Sequence, residues 1–250
     1  MKKKKIISKK KFQKLNQVAA TKMSKNKNII NAANKLFVNA DKNYRWLHQN
    51  TWMNEPILNI PQDIMAMQEI IYKSRPEYII ETGVAWGGST LFLASMLKIF
   101  GGKKVIGVDI FLPNNVKKAV TKDPKLNKYI KLIKGSSVDT NIIKKIKKIT
   151  NNSKKVLVIL DSNHTHDHVL KELELYSEFV KKNSYIICGD TIVEFIPEQK
   201  HRPREWGHGN NPFTAMKKFL KKNKRFTIDS KISNKLLFTN HPKGYLVAKR

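Results

Sequence analysis

Residues 156–164 read VLVILDSNH, an apolar, largely β-branched run that ends abruptly in an acidic residue, with a histidine three positions later. Five apolar residues in succession are typical of a strand buried on both faces, which is the usual setting of a central strand in a parallel sheet. Ligands of open parallel sheets lie just beyond the carboxyl ends of the strands. We therefore expect Asp161 and His164 to lie in the functional site, as a metal-binding acid and a base that titrates near neutral pH.

Strand and helix patterns alternate on both sides of this run. Repeated β-α units with short connecting loops predict an α/β fold with a doubly wound, mostly parallel sheet, closed by short antiparallel strands near the C-terminus. The predicted strands cover residues 78–81, 104–109, 130–134, 156–160, 184–188, 226–228, 236–238 and 245–248. The predicted helices cover residues 89–100, 115–121, 139–150, 166–182 and 212–222, preceded by a helix that Asp63 caps and that ends at Tyr72.

The N-terminal part of the chain differs in composition from the rest. Residues 1–28 are rich in lysine, contain no glycine or proline and carry few large apolar residues. Residues 29–50 carry apolar residues at a helical spacing. We therefore predict a basic N-terminal extension over residues 1–43, flexible or helical, followed by one α/β domain over residues 44–250.

The net charge of +30 invites a nucleic-acid interpretation, which the kind of basic residue weakens. Only six of the 49 basic residues are arginine, the residue that groove recognition favours (residues 45, 75, 202, 204, 225 and 250). The lysines are spread along the whole chain, which favours a biased composition with solvated helix faces. We expect any binding to nucleic acid to be non-specific and sensitive to salt.

The sequence also indicates a compartment. No apolar run approaches the roughly 18–20 residues needed to span a bilayer, and the lysines at 9–11 interrupt any signal-peptide core. The single cysteine, Cys188, has no partner for an internal disulfide, which suits a reducing compartment. These features predict a cytoplasmic protein without a transmembrane segment, and they leave a homo-oligomer open.

The loop after the first predicted strand is rich in glycine. Gly83 permits a sharp turn, and Gly87 and Gly88 let a ligand approach the backbone closely. Ser89 is predicted to cap the next helix. The G-x-x-x-G-G spacing is neither the dinucleotide fingerprint nor a P-loop, and Glu81 would repel a pyrophosphate while suiting an ammonium or sulfonium centre. A tight β-α turn without a ligand is the alternative.

Two later strand ends complete the outline of a nucleoside pocket. Asp109 ends the second predicted strand, where a carboxylate can hold both hydroxyls of a ribose. Ser136 and Ser137 follow the third strand, where an adenine ring would lie. A nucleoside that carries a cationic centre and no phosphate corresponds to S-adenosylmethionine, which we predict as the cofactor.

A second group of polar residues follows the fourth and fifth predicted strands. Asp161 and Asp190 end these neighbouring strands and could share one hard divalent cation such as Mg²⁺, with Thr191 as a further oxygen ligand or supporting contact. His164 could then accept the proton of a hydroxyl whose pKa the metal lowers. The sequence predicts Asp161 and Asp190 as metal ligands and His164, with Asp161, as catalytic residues.

Three other interpretations of these residues remain. His164, His166 and His168 allow a zinc site, although at most two of them face one way and no cysteine pair supports it; solvated or capping roles are preferred for the last two. A non-haem iron site usually begins with an H-x-D pair, which the chain lacks. Asp161 as a simple helix N-cap is the structural alternative.

Five motifs stand out along the chain, at residues 80–83, 87–89, 135–139, 156–170 and 209–212. Together these motifs resemble the cephalosporin hydroxylase family, which includes rhamnosyl and macrolide sugar O-methyltransferases. The resemblance covers roughly residues 44–248. It implies the Rossmann-like, seven-stranded fold of class I S-adenosylmethionine-dependent methyltransferases and magnesium-dependent O-methyl transfer. It also implies metal binding by Asp161 and Asp190, His164 as the base, and cofactor contacts from Glu81, Gly83 and Asp109.

The resemblance has one departure and leaves the acceptor open. Metal-binding relatives often carry two adjacent acids after the fifth strand, where this chain has Gly189 before Asp190. We expect methylation of a hydroxyl on a sugar, a glycan or a secondary metabolite, with residues 197–212 as a substrate lid or an ordered surface loop. The alternatives are a nucleic-acid methyltransferase that uses the basic surface and a cofactor-binding scaffold without catalysis.

Overall fold

The computed structural model describes residues 7–198 and 202–249. Its helices are α1 (Lys9–Lys25), α2 (Lys27–Tyr44), α3 (Pro61–Ser74), α4 (Gly88–Phe100), α5 (Asn114–Thr121), α6 (Pro124–Asn127), α7 (Thr140–Thr150), α8 (His166–Tyr176), α9 (Pro212–Lys222) and α10 (Ser230–Ser233). Its strands are β1 (Thr51–Trp52), β2 (Glu55–Pro56), β3 (Tyr78–Thr82), β4 (Lys104–Asp109), β5 (Ile130–Lys134), β6 (Val156–Leu160), β7 (Tyr185–Cys188), β8 (Phe226–Ile228) and β9 (Tyr245–Ala248).

Seven of these strands form one sheet in the order β5-β4-β3-β6-β7-β9-β8. The first five in that order are parallel, and β9 pairs antiparallel with both β7 and β8. This confirms the predicted α/β fold with a mostly parallel, seven-stranded sheet. Because the five parallel strands run the same way, their carboxyl ends lie along one edge of the sheet.

Helices cover both faces of the sheet, because successive side chains of each central strand point to opposite sides. Ile80, Val158 and Leu160 belong to the apolar core that includes α7, α8 and α9. Ile79 and Leu157 belong to the opposite core, which includes α3 and α4. All five residues of β6 are buried, as a central parallel strand requires.

The predicted strand over residues 236–238 is wrong. The segment has no ladder partner; instead the side-chain oxygen of Gln62 accepts hydrogen bonds from the backbone N–H groups of Leu237 and Phe238, at 3.1 and 2.9 Å. A long-range side-chain acceptor therefore satisfies backbone groups that would otherwise seek a strand.

Asp63 is not the N-cap of its helix. Ile60 holds that position and α3 starts at Pro61, a residue suited to the first helical turn. The buried Asp63 carboxylate instead accepts hydrogen bonds from the Thr239 hydroxyl, the Asn240 backbone N–H and the Tyr245 hydroxyl. It ties the C-terminal segment to α3.

The predicted helix over residues 166–182 is also shorter than expected, since α8 ends at Tyr176. The backbone oxygens of Ser177 and Val180, just beyond this end, accept hydrogen bonds from the Arg225 guanidinium at 3.4 and 2.6 Å. Carbonyl groups that a longer α8 would use internally are thereby satisfied from outside.

The predicted extension is helical over nearly all its described residues. Helix α1 buries none of its residues, whereas α2 buries Ala33 and Phe37. Phe37 packs with Ile60, Ile192 and Ile196, so α2 is attached to the sheet domain by an apolar cluster. The boundary at residue 43 stays a prediction. Over the described ranges, we find no helix long and apolar enough to cross a membrane.

Candidate active site

The loop between β3 and α4 lies against the end of β6. Gly83 has a φ of 88°, and a Cβ there would overlap the backbone oxygen of Asp161. Only glycine satisfies both constraints. The close approach brings the glycine loop to the residue that begins the second predicted half of the site.

Asp161, His164 and Asp190 converge just beyond the carboxyl ends of β6 and β7. Each offers one possible ligand atom, and these atoms lie within 4.8 Å of one another. The His164 Nε2 is 3.5 Å from Asp190 Oδ2. The predicted pair of strand-end acids and the predicted histidine are therefore brought together by the fold.

The electrostatics of this cluster suit a divalent cation. Burial raises the pKa of Asp161 well above its ordinary value, and the neighbouring charge of Asp190 raises it further. No hydrogen bond from the described residues reaches either carboxylate. A hard cation would supply the missing positive charge, and oxygen-rich donor sets are what Mg²⁺ prefers. The residues present therefore fit the ion.

Gly189 has a physical reason to be glycine. A Cβ there would lie 2.5 Å from Asp161 Oδ1 and 2.7 Å from the Leu160 carbonyl oxygen. Asp190 follows with a φ of 47°, and its backbone N–H donates to His241 Nδ1 at 3.1 Å. The Asp161 carboxylate itself therefore occupies the space in which a side chain at position 189 would begin.

A cavity of about 890 Å³ opens directly over His164 and Asp190. The predicted lid supplies one wall, including Arg202, Arg204 and Trp206, and the indole of Trp206 packs edge-to-face on the His164 ring at a centroid distance of 4.9 Å. The opposite wall comes from α2 and the turn after it, through Phe37, Asp41 and Leu47. The volume lies within the range of small-molecule binding sites.

The second half of the predicted lid is anchored to the body of the protein. Asn211 caps α9 in a capping box with Thr214, and its side-chain amide donates to Glu194 Oε2 at 2.6 Å and to the Gly207 carbonyl at 2.8 Å. Asn210 accepts from the backbone N–H of His166 at 2.8 Å. The motif at residues 209–212 thus fixes the lid to the start of α8.

Glu81 is buried beside the start of α4. Its carboxylate accepts a hydrogen bond from the Thr90 hydroxyl, and burial raises its pKa to about 7, against the opposing effect of bonds from Ser89 and Thr90. Ser89 does not cap α4, because Gly87 holds the N-cap position. Ser89 contributes instead to lowering the pKa of Glu81, against the larger effect of burial.

Gly87 and Gly88 are required by contacts inside the protein. A Cβ at Gly87 would overlap the Val120 side chain, and one at Gly88 would overlap the Pro56 carbonyl oxygen. These glycines therefore bring α4 against α5 and β2. Whether they also let a cofactor approach the backbone stays a prediction.

Asp109 organises the glycine loop. Its Oδ2 accepts from the backbone N–H groups of Val84 and Ala85 at 2.8 and 3.2 Å, and its Oδ1 accepts from Phe111 at 2.8 Å. One lone-pair position of the carboxylate is left for a ligand. The predicted ribose contact is compatible with this arrangement and stays a prediction.

Ser137 belongs to a polar network that the sequence did not predict. Its hydroxyl lies 3.0 Å from His168 Nε2 and 3.3 Å from the Ser162 hydroxyl, which donates to the buried Glu172 Oε1 at 2.7 Å. His168 is therefore neither capping nor simply solvated. The i, i+4 spacing of His168 and Glu172 on α8 was the available signal. The role of Ser136 and Ser137 in cofactor binding stays a prediction.

The histidine alternatives are not supported by the geometry. His166 lies 2.7 Å from the Thr214 hydroxyl through Nδ1, and neither it nor His168 joins the cluster of possible ligands around His164 among the described residues. Asp161 does not cap α8, whose N-cap is Thr165. The group that converges is the mixed one predicted from the two strand ends.

Comparison with known proteins matches this architecture. The chain is 26% identical over 217 residues to the rhamnosyl O-methyltransferase of Mycobacterium tuberculosis strain H37Rv, covering 83% of this chain and 84% of that protein. It is 29% identical over 166 residues to the rhamnosyl O-methyltransferase of Mycobacterium leprae, covering 63% and 70% respectively.

Solved structures show the same fold. An apo structure of CmcI aligns with a TM-score of 0.56 at 16% identity, covering 81% of this chain and 77% of that one. A CmcI structure with Mg and S-adenosylmethionine aligns at 0.54 and 17%, covering 81% and 78%. The model of the rhamnosyl O-methyltransferase/CmcI family matches residues 44–249, and the chain belongs to this family.

Proposed function

We propose that the protein transfers the methyl group of S-adenosylmethionine to a hydroxyl of a sugar, assisted by Mg²⁺. The observation that carries the proposal is the convergence of Asp161, His164 and Asp190 beneath a cavity of about 890 Å³, next to the glycine loop of β3. Membership of the rhamnosyl O-methyltransferase/CmcI family and the mycobacterial relatives support a sugar hydroxyl as the acceptor. They do not favour a nucleic-acid methyltransferase or a silent scaffold.

Asp161 and Asp190 would hold the metal. Bound there, Mg²⁺ would lower the pKa of an acceptor hydroxyl and offset the repulsion between the two carboxylates, while the sulfonium of the cofactor supplies an electrophilic methyl group. The known binding of Mg and S-adenosylmethionine by a CmcI structure of the same fold supports this assignment.

His164 is the general base of the proposal. Its ring lines the cavity and has Asp190 Oδ2 at 3.5 Å from Nε2, so an imidazolium formed by proton uptake faces a carboxylate. Trp206 packs on the ring from the lid side and restricts both its orientation and the access of water. His164 can therefore receive the acceptor proton and hold it while the new C–O bond forms.

The methyl-donor half is assigned to the loop after β3 and the neighbouring strand ends. Asp109 holds the loop by its backbone N–H groups and keeps a lone-pair position for a ribose hydroxyl. The loop touches Asp161 through Gly83. S-adenosylmethionine held on this loop would lie next to the acid-and-histidine cluster, and its sulfonium would supply the methyl group.

The test is a pair of measurements on the full chain. Isothermal titration should show binding of S-adenosylmethionine, and methyl transfer to a rhamnose-bearing acceptor should require Mg²⁺ and stop with a chelator. Absence of cofactor binding both with and without Mg²⁺ would sink the proposal. Cofactor binding without transfer to any sugar would reject the acceptor class alone. The cytoplasmic location and a homo-oligomer stay predictions.

A further inference from the structure

Helix α1 carries an apolar face that nothing in the described chain covers. The face consists of Phe12, Leu15, Val18 and Ala19, which lie on one side of a helix with 3.6 residues per turn. Phe12 is 54% exposed, Leu15 53% and Val18 49%. Three large apolar side chains therefore stand in a row in solvent on one helix.

The same helix is strongly basic. It contains no acidic residue, and its lysines are Lys9, Lys10, Lys11, Lys14, Lys22 and Lys25. Lys11 and Lys22 flank the apolar face at its two ends, while Lys10 lies on the other side of the helix. Long lysine side chains at the margin of an apolar face can reach charged groups beside a surface into which the face is buried.

The helix also lacks internal support for its stability. None of its 17 residues is buried, and residues 9–19 are all exposed. Helices of about this length are only marginally stable in water without packing, even with good propensity. The Ser8 side chain caps the first turn by accepting a hydrogen bond from the Lys11 N–H, and one such bond adds little to the stability of the helix. A partner that covers the apolar face would stabilise the helix.

We propose that α1 lies on the surface of an anionic lipid bilayer, with Phe12, Leu15 and Val18 at the boundary between head groups and acyl chains. An amphipathic helix that combines large apolar residues with lysines is suited to this interface, and each lysine near an anionic surface adds attraction. The absence of acids from α1 provides the charge complementarity. The helix would lie on the membrane and would not span it.

Charge and shape favour this partner over two others. A second copy of the chain would set one lysine-rich helix against another, which like charges oppose. A nucleic acid would account for the lysines but not for the row of apolar side chains, since phosphate contacts need only the cations. A bilayer with anionic lipids accounts for both features.

The experiment is vesicle flotation with the full chain at about 0.15 M salt, using phosphatidylcholine vesicles with and without phosphatidylglycerol. The wild type should float with the anionic vesicles only. The double variant F12Q/L15Q, which keeps good helix formers, should bind about 30-fold more weakly because two large side chains no longer enter the interface. Its melting temperature should be unchanged, because α1 buries nothing.

The matched control is M65Q/I99Q. Met65 on α3 and Ile99 on α4 are each 65% exposed, so this variant removes equal numbers of exposed apolar side chains elsewhere. It should bind the vesicles as the wild type does. If both double variants bind like the wild type, the binding is simple adhesion of a chain of charge +30 and the proposal is overturned.

Two further readouts separate the competing partners. The variant F12W should show a larger blue shift of its emission on anionic vesicles than the wild type, whose four tryptophans lie elsewhere, and an equal shift would contradict burial of the face. Light scattering that shows F12Q/L15Q converting a wild-type oligomer into a monomer would assign the face to a second copy. Loss of RNA binding in F12Q/L15Q, with vesicle binding unchanged, would likewise overturn the proposal.

Discussion

The proposed site has a donor half, formed by the loop after β3 with Glu81 and Asp109, and an acceptor half, formed by Asp161, His164 and Asp190; the two halves differ in how their acids are neutralised. In the donor half, Asp109 accepts hydrogen bonds from three backbone N–H groups, and Glu81 accepts one from the Thr90 hydroxyl at the start of α4. In the acceptor half, Asp161 and Asp190 face each other and His164, and no hydrogen bond from the described residues reaches their carboxylates. The protein's own groups therefore satisfy the acids of the donor half, whereas the acids of the acceptor half lack a compensating positive charge.

This difference indicates what each half requires. A carboxylate that accepts several hydrogen bonds from a loop keeps that loop in place before any ligand arrives, as Asp109 does. Two carboxylates whose oxygens lie within 4.8 Å of each other repel one another unless a cation or a proton lies between them. If the proposed assignment is right, the donor half is a preformed cradle, whereas the acceptor half depends on an ion for its working state.

The largest expected effect comes from removing the base. His164→Ala should lower kcat for methyl transfer by about 1000-fold, the typical contribution of a general base, because no other group replaces Nε2. The affinity for S-adenosylmethionine, measured by isothermal titration, should stay unchanged. Equal losses in kcat and in cofactor affinity would place His164 in the donor half and contradict the division of the site into two halves.

The next effect is the pH dependence of stability, in which the buried Glu81 should differ from the solvent-accessible acids. Its carboxyl ionises near 4.5 in the ordinary case and at about 7 when folded. Between these pH values the folded chain keeps a proton that the unfolded chain has lost, so Glu81 makes stability fall as pH rises, by about 3 kcal/mol. Above pH 7 its contribution is constant.

Glu81→Gln should remove this contribution. The difference in the free energy of unfolding between variant and wild type, followed by urea titration from pH 4.5 to 8, should grow in favour of the variant up to about pH 7. A difference independent of pH would mean that Glu81 is ionised throughout in the folded protein. Glu77→Gln is a suitable control, because Glu77 is a solvent-accessible acid whose pKa is lowered by Lys103.

Loss of charge at Asp109 should damage the cradle. Asp109→Asn keeps the shape of the side chain but replaces one accepting oxygen with an NH₂ group that can only donate. The variant should therefore lose about 2 kcal/mol of stability and bind the cofactor about tenfold or more weakly. Calorimetry and thermal unfolding measure both. Asp123→Asn, at the N-cap of α6 and outside the site, should change neither, because asparagine also caps helices. Unaltered cofactor affinity in Asp109→Asn would show that Asp109 does not contribute to cofactor binding.

The smallest effect concerns the departure at position 189. Gly189→Ala should destabilise the protein by about 1–2 kcal/mol, because its Cβ would lie 2.5 Å from Asp161 Oδ1. Gly207→Ala, where a Cβ meets open space, is the control. Restored or improved metal affinity in Gly189→Asp, without loss of stability, would show that a third acid fits there after all.

The parts predicted from sequence share one property, which is that their signal is local. The run at 156–160 and its terminal acid predicted β6 and Asp161 because burial on both faces leaves a continuous apolar pattern. The convergence of Asp161, His164 and Asp190 followed from parallel strand order alone. The family motifs then assigned chemistry to that edge.

The parts that were missed depend on long-range partners. Asp63 is held by residues more than 170 positions away, and residues 236–238 are satisfied by Gln62, so neither contact leaves a local pattern. The packing of Trp206 on His164 is likewise set by where the loop that carries Trp206 lies relative to the cavity. Such contacts are chosen by the tertiary fold, which overrides local propensity.

The most direct test of the account is the binding of Mn²⁺, as a spectroscopic substitute for Mg²⁺, measured by electron paramagnetic resonance. The account predicts one site in the wild type and in Asp123→Asn, and at least tenfold weaker binding in Asp161→Asn and Asp190→Asn. The two site variants should also melt no lower than the wild type without metal, since each removes a buried or facing charge. Equal Mn²⁺ binding in all four proteins, or none in the wild type, would contradict the claim that the acceptor half holds a divalent cation.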